Sequence, residues 1–302
     1  MNQPSRSAFV ALVGRPNVGK SSLLNRLVGR KVAIVSDKPQ TTRNRIMGVV
    51  TRDALQLVFL DTPGAHRPRT RLGDFMVKSI GEAVGGVDAG VLVVTPDAKV
   101  SDADRDLLAQ FRKQDLPVIL VINKIDLLTD KLPLLACIDM WRGEYDFAAI
   151  LPLSATTGEG CDELVDELSA FAFESPHFFP DDAVSDQPER VLASELIREQ
   201  MLLLLQQEIP HGIAVVIEKF EEGVTERGAD ILDIDAVIYC ERDSHKGIVI
   251  GRRGTMLKEI ASRARGEMER LFGTKVNLQC WVKVKEDWRN RQGLLNNFGY
   301  SL

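Results

Sequence analysis

The stretch Gly14-Arg15-Pro16-Asn17-Val18-Gly19-Lys20-Ser21 constrains this chain more than any other. The apolar run Ala8 to Val13 precedes it, and Ser22 to Val28 follows with leucines at helical spacing. The order is therefore strand, glycine loop, helix, which is the context the pattern G-x-x-x-x-G-K-[ST] requires. Triphosphate oxygens need donors from several directions, and glycine lets the backbone curl until successive N–H groups face one anion. Lys20 adds a point charge near the β- and γ-phosphates, the dipole of the following helix favours the anion, and the Ser21 hydroxyl can join a Mg²⁺ shell. Such a loop by itself leaves ATP and GTP equally open.

The choice between them comes further along. A polar loop, Gln40-Thr41-Thr42-Arg43-Asn44, is followed by two strand-like runs, Arg45 to Thr51 and Ala54 to Leu60, around Arg52-Asp53. The second run leads straight into Asp61-Thr62-Pro63-Gly64. An acid at the carboxyl end of a buried strand stands where ligands bind an open α/β sheet and can reach Mg²⁺ through water. The Gly64 N–H is then placed to sense a γ-phosphate. Alternation continues through Ala89 to Val94, a helix opened by Ser101-Asp102-Ala103-Asp104, and a strand from Pro117 to Ile122 that ends in Asn123-Lys124-Ile125-Asp126. The two oxygens of Asp126 can accept both N1–H and N2–H₂ of guanine, whereas adenine would leave a buried carboxylate unpaired. Asn123 is expected to tie the base loop to the phosphate loop, with the Lys124 stem over the base. A last strand, Ala149 to Leu153, leads to Ser154-Ala155-Thr156, where the Ala155 N–H is expected to reach guanine O6.

In this order the motifs resemble the translation-factor-type small GTPase domain over residues 8–173, at 14–21, 40–44, 61–64, 123–126 and 153–155. The resemblance implies GTP binding by Gly14, Arg15, Pro16, Asn17, Val18, Gly19, Lys20, Ser21, Asp61, Thr62, Pro63, Gly64, Ala65, Asn123, Lys124, Ile125, Asp126, Ser154 and Ala155. It implies Lys20, Thr42, Asp61 and Gly64 as the catalytic group, with Ser21 and Thr42 on Mg²⁺. Thr41, beside Thr42, stays an alternative. Ras-type enzymes place a water-orienting Gln directly after the glycine of the third motif, where this chain has Ala65. Slow intrinsic hydrolysis is expected. In similar loops an Asn at the position of Asn17 helps hold K⁺; the other reading is that Asn17 bonds its own loop. Arg67, Arg69 and Arg71 are candidate arginine fingers, or simply a solvated surface.

Composition matters most for the second half. The 302 residues leave room for two domains, with 44% hydrophobic and 27% charged residues and no apolar run of membrane-spanning length. The start of the chain is polar and lacks the apolar core of a secretion signal, so a cytoplasmic protein is expected. Cys137, Cys161, Cys240 and Cys280 are scattered and read as idle or buried thiols. The net charge of -5 is unevenly spread. From His245 to Arg291 twelve Lys and Arg face five acids, a net of +7, which leaves -12 elsewhere.

Proline and acid enrichment over residues 174–188 marks a linker between a domain at 1–173 and another at 189–302. His177 within it reads as a packing residue beside Phe178. Glu189 to Glu208 reads as a helix, followed by strand-like runs at His211 to Phe220 and Ile231 to Tyr239. Next comes Ile248-Val249-Ile250-Gly251-Arg252-Arg253-Gly254-Thr255-Met256-Leu257-Lys258, then a final strand from Lys275 to Val284. The glycine pair with its apolar frame resembles the GXXG signature of KH domains, whose loop clamps about four nucleotides of RNA backbone. Ile250, Gly251, Arg252, Arg253, Gly254 and Lys258 are the implied RNA-binding residues. Trp281 reads as core and Trp288 as a possible stacking residue. Asp287 to Tyr300 reads as a short closing helix.

An α/β P-loop GTPase domain, mostly parallel sheet flanked by helices, followed by an α+β type II KH domain, resembles the bacterial Era family within the TrmE-Era-Septin-like superfamily. That resemblance implies a GTP/GDP switch that holds the 3′ end of 16S rRNA and acts in small (30S) subunit assembly. A monomer without DNA partners is expected. The alternative is a membrane-associated GTPase coupling growth to cell division, with peripheral contact on the inner face of the cell membrane.

Overall fold

The computed structural model describes residues 4–64, 70–97, 99–206, 209–226 and 228–300. They divide into two compact units: the main boundary falls between Asp186 and Gln187, and the short pieces Ile34–Ser36 and Thr70–Leu72 group with the second unit.

The first unit runs β1 (Arg6–Val13), α1 (Lys20–Val28), β2 (Ile46–Arg52), β3 (Leu55–Asp61), α2 (Arg71–Val84), β4 (Ala89–Val94), α3 (Asp102–Lys113), β5 (Val118–Ile122), α4 (Leu132–Arg142), β6 (Ala149–Pro152), α5 (Cys161–Ser169) and β7 (Phe173–Glu174). Its sheet has the order β2-β3-β1-β4-β5-β6. β3, β1, β4, β5 and β6 are mutually parallel, and β2 joins β3 antiparallel. β7 pairs antiparallel with Arg6 and Ser7, the part of β1 that β4 does not reach, since β4 begins pairing at Val10. The central strands are mostly apolar because helices cover both faces, and β4 and β5 are apolar throughout. Ala8, Val10 and Leu12 pack with Leu23 of α1 and Leu164 of α5, while Ala11 and Val13 pack with Phe111 of α3 and Trp141 of α4. Parallel strands finish on one edge of a sheet, so the segments after β1, β3, β5 and β6 gather there.

The stretch expected as a linker is bound along this unit as far as Asp186. The buried Gln56 accepts the N–H groups of Phe178 and Phe179 at 2.8 and 3.0 Å and donates to the Phe179 carbonyl at 3.0 Å. Val49 N–H donates to the Val184 carbonyl at 3.0 Å, and the Phe178 ring lies 4.8 Å from that of Phe9. A buried amide side chain must be satisfied at both ends, and this segment satisfies it. His177 Nδ1 lies 2.6 Å from Asp181 Oδ1.

The second unit runs α6 (Glu189–Leu204), β8 (Ile213–Val224), β9 (Asp230–Cys240), α7 (Asp243–Ile250), α8 (Thr255–Phe272), β10 (Lys275–Val284) and α9 (Gln292–Asn297). Its sheet order is β10-β9-β8, with β8 antiparallel and β10 parallel to β9. Helix, two strands, two helices, strand is the expected KH arrangement. Leu196 and Met201 of α6, Ile260 and Ala264 of α8, and Ile234 and Ile238 of β9 form one core. Trp281, expected in the core, and Trp288, offered for stacking on bases, are placed otherwise. On β10 the inward positions are Val276, Leu278, Cys280 and Val282, so Trp281 alternates outward and is 43% exposed. Trp288 is fully buried, donates from Nε1 to the Gly212 carbonyl at 2.9 Å, and stacks 5.9 Å from Tyr300.

Candidate nucleotide and nucleic-acid sites

The loop after β1 delivers Lys20 and Ser21 as the first residues of α1. Gly19 caps that helix with φ +98°, and a Cβ there would stand 2.2 Å from the Asn123 amide nitrogen, so only glycine closes the turn. Lys20 is buried, and its Nζ donates to the carbonyls of Gly14 and Arg15 at 3.0 and 2.9 Å. Burial lowers its pKa to about 8, opposed by the charge of Asp61. Burial likewise pushes the Asp61 carboxyl up to about 6, against Lys20 and the hydroxyls of Ser21 and Thr42. Two buried groups of opposite charge thus face the same spot, where each favours the other's ionised form.

Three oxygens converge there. Ser21 Oγ donates to Asp61 Oδ2 at 2.6 Å and lies 2.8 Å from Thr42 Oγ1, which is 3.5 Å from the same carboxylate oxygen. Thr41 instead donates to the Lys38 carbonyl at 2.6 Å, so Thr42 is the hydroxyl that meets Ser21 and Asp61. Asp61 Oδ1 is buried without a hydrogen-bond partner among the described residues. Hard oxygen donors of this kind suit Mg²⁺. No group of three His, Cys, Asp or Glu that could hold a metal occurs among the described residues, so phosphate oxygens and water would have to complete the shell. Thr62 anchors the turn after β3 by donating to the Leu12 carbonyl at 2.9 Å, and Gly64 lies with its backbone against Pro16. Ala65, Arg67 and Arg69 lie outside the described residues, and Arg71 opens α2.

On the base side, Asn123 donates to the Val18 carbonyl at 2.9 Å, which joins the segment after β5 to the phosphate loop. Lys124 Nζ reaches the Asn17 carbonyl at 2.7 Å. Asp126 lies in the short turn Ile125–Leu127, where its Oδ1 accepts from Ser154 Oγ at 2.6 Å. The Ala155 N–H, expected to aim at guanine O6, donates to Asn123 Oδ1 at 3.0 Å. Asn123 needs a donor for its buried carbonyl oxygen, and Ala155 is the nearest. Asn17 adopts φ +64° and donates from its amide to the Asp37 carbonyl, beyond its own loop. Sequence reading passed over Arg26, whose guanidinium holds the carbonyls of Ala155 and Thr156. Its one sequence signal is a basic residue in the last turn of α1.

In the second unit Ile250 ends α7, and Gly251-Arg252-Arg253-Gly254 turns the chain into the 18-residue α8. Gly251 has φ +71°, and a Cβ would come 2.6 Å from the Cβ of Met256. Arg252, Arg253 and Lys258 are exposed and make no ion pair among the described residues. Arg263, Arg270 and Lys275 are matched to Glu259, Glu267 and Glu269. The basic excess of this segment is therefore unneutralised beside the glycine turn, at the N-terminus of α8, where N–H groups and charge together suit phosphate.

Residues 9–124 match the family model described as 50S ribosome-binding GTPase, and residues 208–289 match the KH domain model. The chain is 51% identical over 296 residues to GTPase Era of Clostridioides difficile strain 630, covering 98% of this chain and 99% of that one. It is 47% identical over 295 residues to GTPase Era of Ruminiclostridium cellulolyticum, with 98% and 97% covered.

The chain belongs to the Era family of GTPases.

Two solved Era structures superpose with TM-score 0.93 at 38% identity. One, from Aquifex aeolicus, is bound to GDP and AlF₄⁻ and covers 98% of this chain. The other is in complex with MgGDPNP and nucleotides 1506–1542 of 16S ribosomal RNA and covers 99% of it. Era-family membership makes this chain a GTPase with an N-terminal P-loop domain and a C-terminal KH domain.

Proposed function

We propose that this chain is a guanine-nucleotide switch that holds the 3′ end of 16S rRNA through its KH unit and acts in assembly of the 30S subunit. The observation that carries the switch is Thr42 Oγ1 at 2.8 Å from Ser21 Oγ and 3.5 Å from Asp61 Oδ2. A residue from the loop before β2 is thereby seated at the same spot as the first turn of α1. Such a contact can be exchanged for a γ-phosphate and lost with it. In this reading Ser21 and Thr42 hold Mg²⁺ with Asp61 behind them, and the ion would neutralise charge on the transferred phosphoryl group. Lys20 places its ammonium on the phosphates, while Gly64 offers its N–H. Asp126, steadied by Ser154, selects guanine.

The Asn17 side-chain oxygen, with its amide engaged on Asp37, is the ligand offered to K⁺, and equal turnover in sodium and potassium would remove that part. Support for the RNA partner comes from the unpaired cations around Gly251 and from the relative in complex with a 16S rRNA fragment. No helix among the described residues is long and apolar enough to cross a membrane. The reading is tested by crosslinking in cells with hydrolysis blocked. Recovery of mainly small-subunit RNA is expected; recovery of membrane lipid in its place would favour the growth-and-division alternative.

A further inference from the structure

We infer that Arg15 is a positioning residue, tying the phosphate loop to the start of α3 through the buried carboxylate of Asp104. The inference rests on the nucleotide-site reading above. Arg15 faces two ways. Its carbonyl accepts from Lys20 Nζ at 2.9 Å, while its guanidinium donates to the Lys99 carbonyl and lies 2.9 Å from Asp104 Oδ2. The Asp104 side chain is 1% exposed. Its Oδ2 also accepts from Ser101 N–H at 2.8 Å and Ser101 Oγ at 2.7 Å, which makes it half of the capping box of α3. A buried carboxylate stripped of its counter-charge is strongly unfavourable, so the guanidinium is held as firmly as the cap itself. One guanidinium nitrogen, Nη2, meets both the Lys99 carbonyl and Asp104 Oδ2, so the two contacts fix its position together. The peptide of Arg15, and with it one of the two carbonyls that aim Lys20, is thus oriented from a helix that touches no phosphate. Small displacements of such a group carry large losses in binding and turnover.

The test uses the full chain, a non-hydrolysable GTP analogue for binding and GTP for turnover. Arg15→Ala and Asp104→Asn are each expected to weaken analogue binding and to lower turnover by about tenfold, and the double variant to be no worse than either. Arg15→Lys should recover part of the loss. Ser101→Ala breaks the capping box and leaves the ion pair, so it should lower the thermal midpoint with binding held within about twofold. Unchanged binding in both single variants, losses that multiply in the double variant, or a loss in Ser101→Ala equal to that in Asp104→Asn would overturn the inference. Failure of the unaltered chain to bind the analogue would instead remove the nucleotide-site reading.

Discussion

Asp126 carries the discrimination between bases. Ser154 occupies Oδ1 at 2.6 Å, and guanine offers two donors where adenine offers no matching pair. Asp126→Asn replaces an acceptor by a donor. Its GTP affinity should fall roughly tenfold to a hundredfold, the cost of one mismatched charged hydrogen-bond contact, while xanthosine triphosphate gains. Competition binding with the two nucleotides reads the change, and equal GTP affinity before and after would contradict the assignment. Asp126 was legible in the sequence because Asn123 to Asp126 are consecutive and close a strand. The Ala155 amide has a second acceptor in Asn123, 32 residues away, which adjacency in the sequence does not show. Arg26 escaped for the same reason, with its acceptor 129 residues distant.

Among the elements, the turn between α7 and α8 has the least latitude. Gly251 supplies a left-handed backbone packed on Met256, and Arg253 sits beside it at φ +53°. Gly251→Val would force the turn open and displace the unpaired cations it presents, so binding to a single-stranded 16S 3′-end oligonucleotide should fall at least about tenfold. GTP turnover, whose residues all lie in the first unit, should stay within about twofold. Filter binding beside phosphate release separates the two, and RNA affinity left intact would show that the turn is not the clamp. Element order was readable from periodicity and glycine placement in both units. The helices α2 and α4 were not: α4 starts without a side-chain cap, with Pro133 in its first turn. The side of β10 on which Trp281 falls was also hidden, because alternation shows that faces differ without showing which one a helix covers.

For the molecule as a whole, two sites with different chemistry stand in one chain, and each is built from contacts internal to its own unit. Residues 174–186 looked like free linker on composition, yet Gln56 binds them, a partner more than a hundred positions away. If the proposed switch operates, the γ-phosphate state in the first unit sets how tightly the second holds RNA. The direct measurement is the affinity of the intact chain for a 16S 3′-end oligonucleotide, at fixed salt, with a non-hydrolysable GTP analogue and with GDP. A coupling of ~1.4 kcal/mol corresponds to tenfold tighter binding in the analogue state, and at least this much is expected. Equal affinities in the two nucleotide states would contradict it.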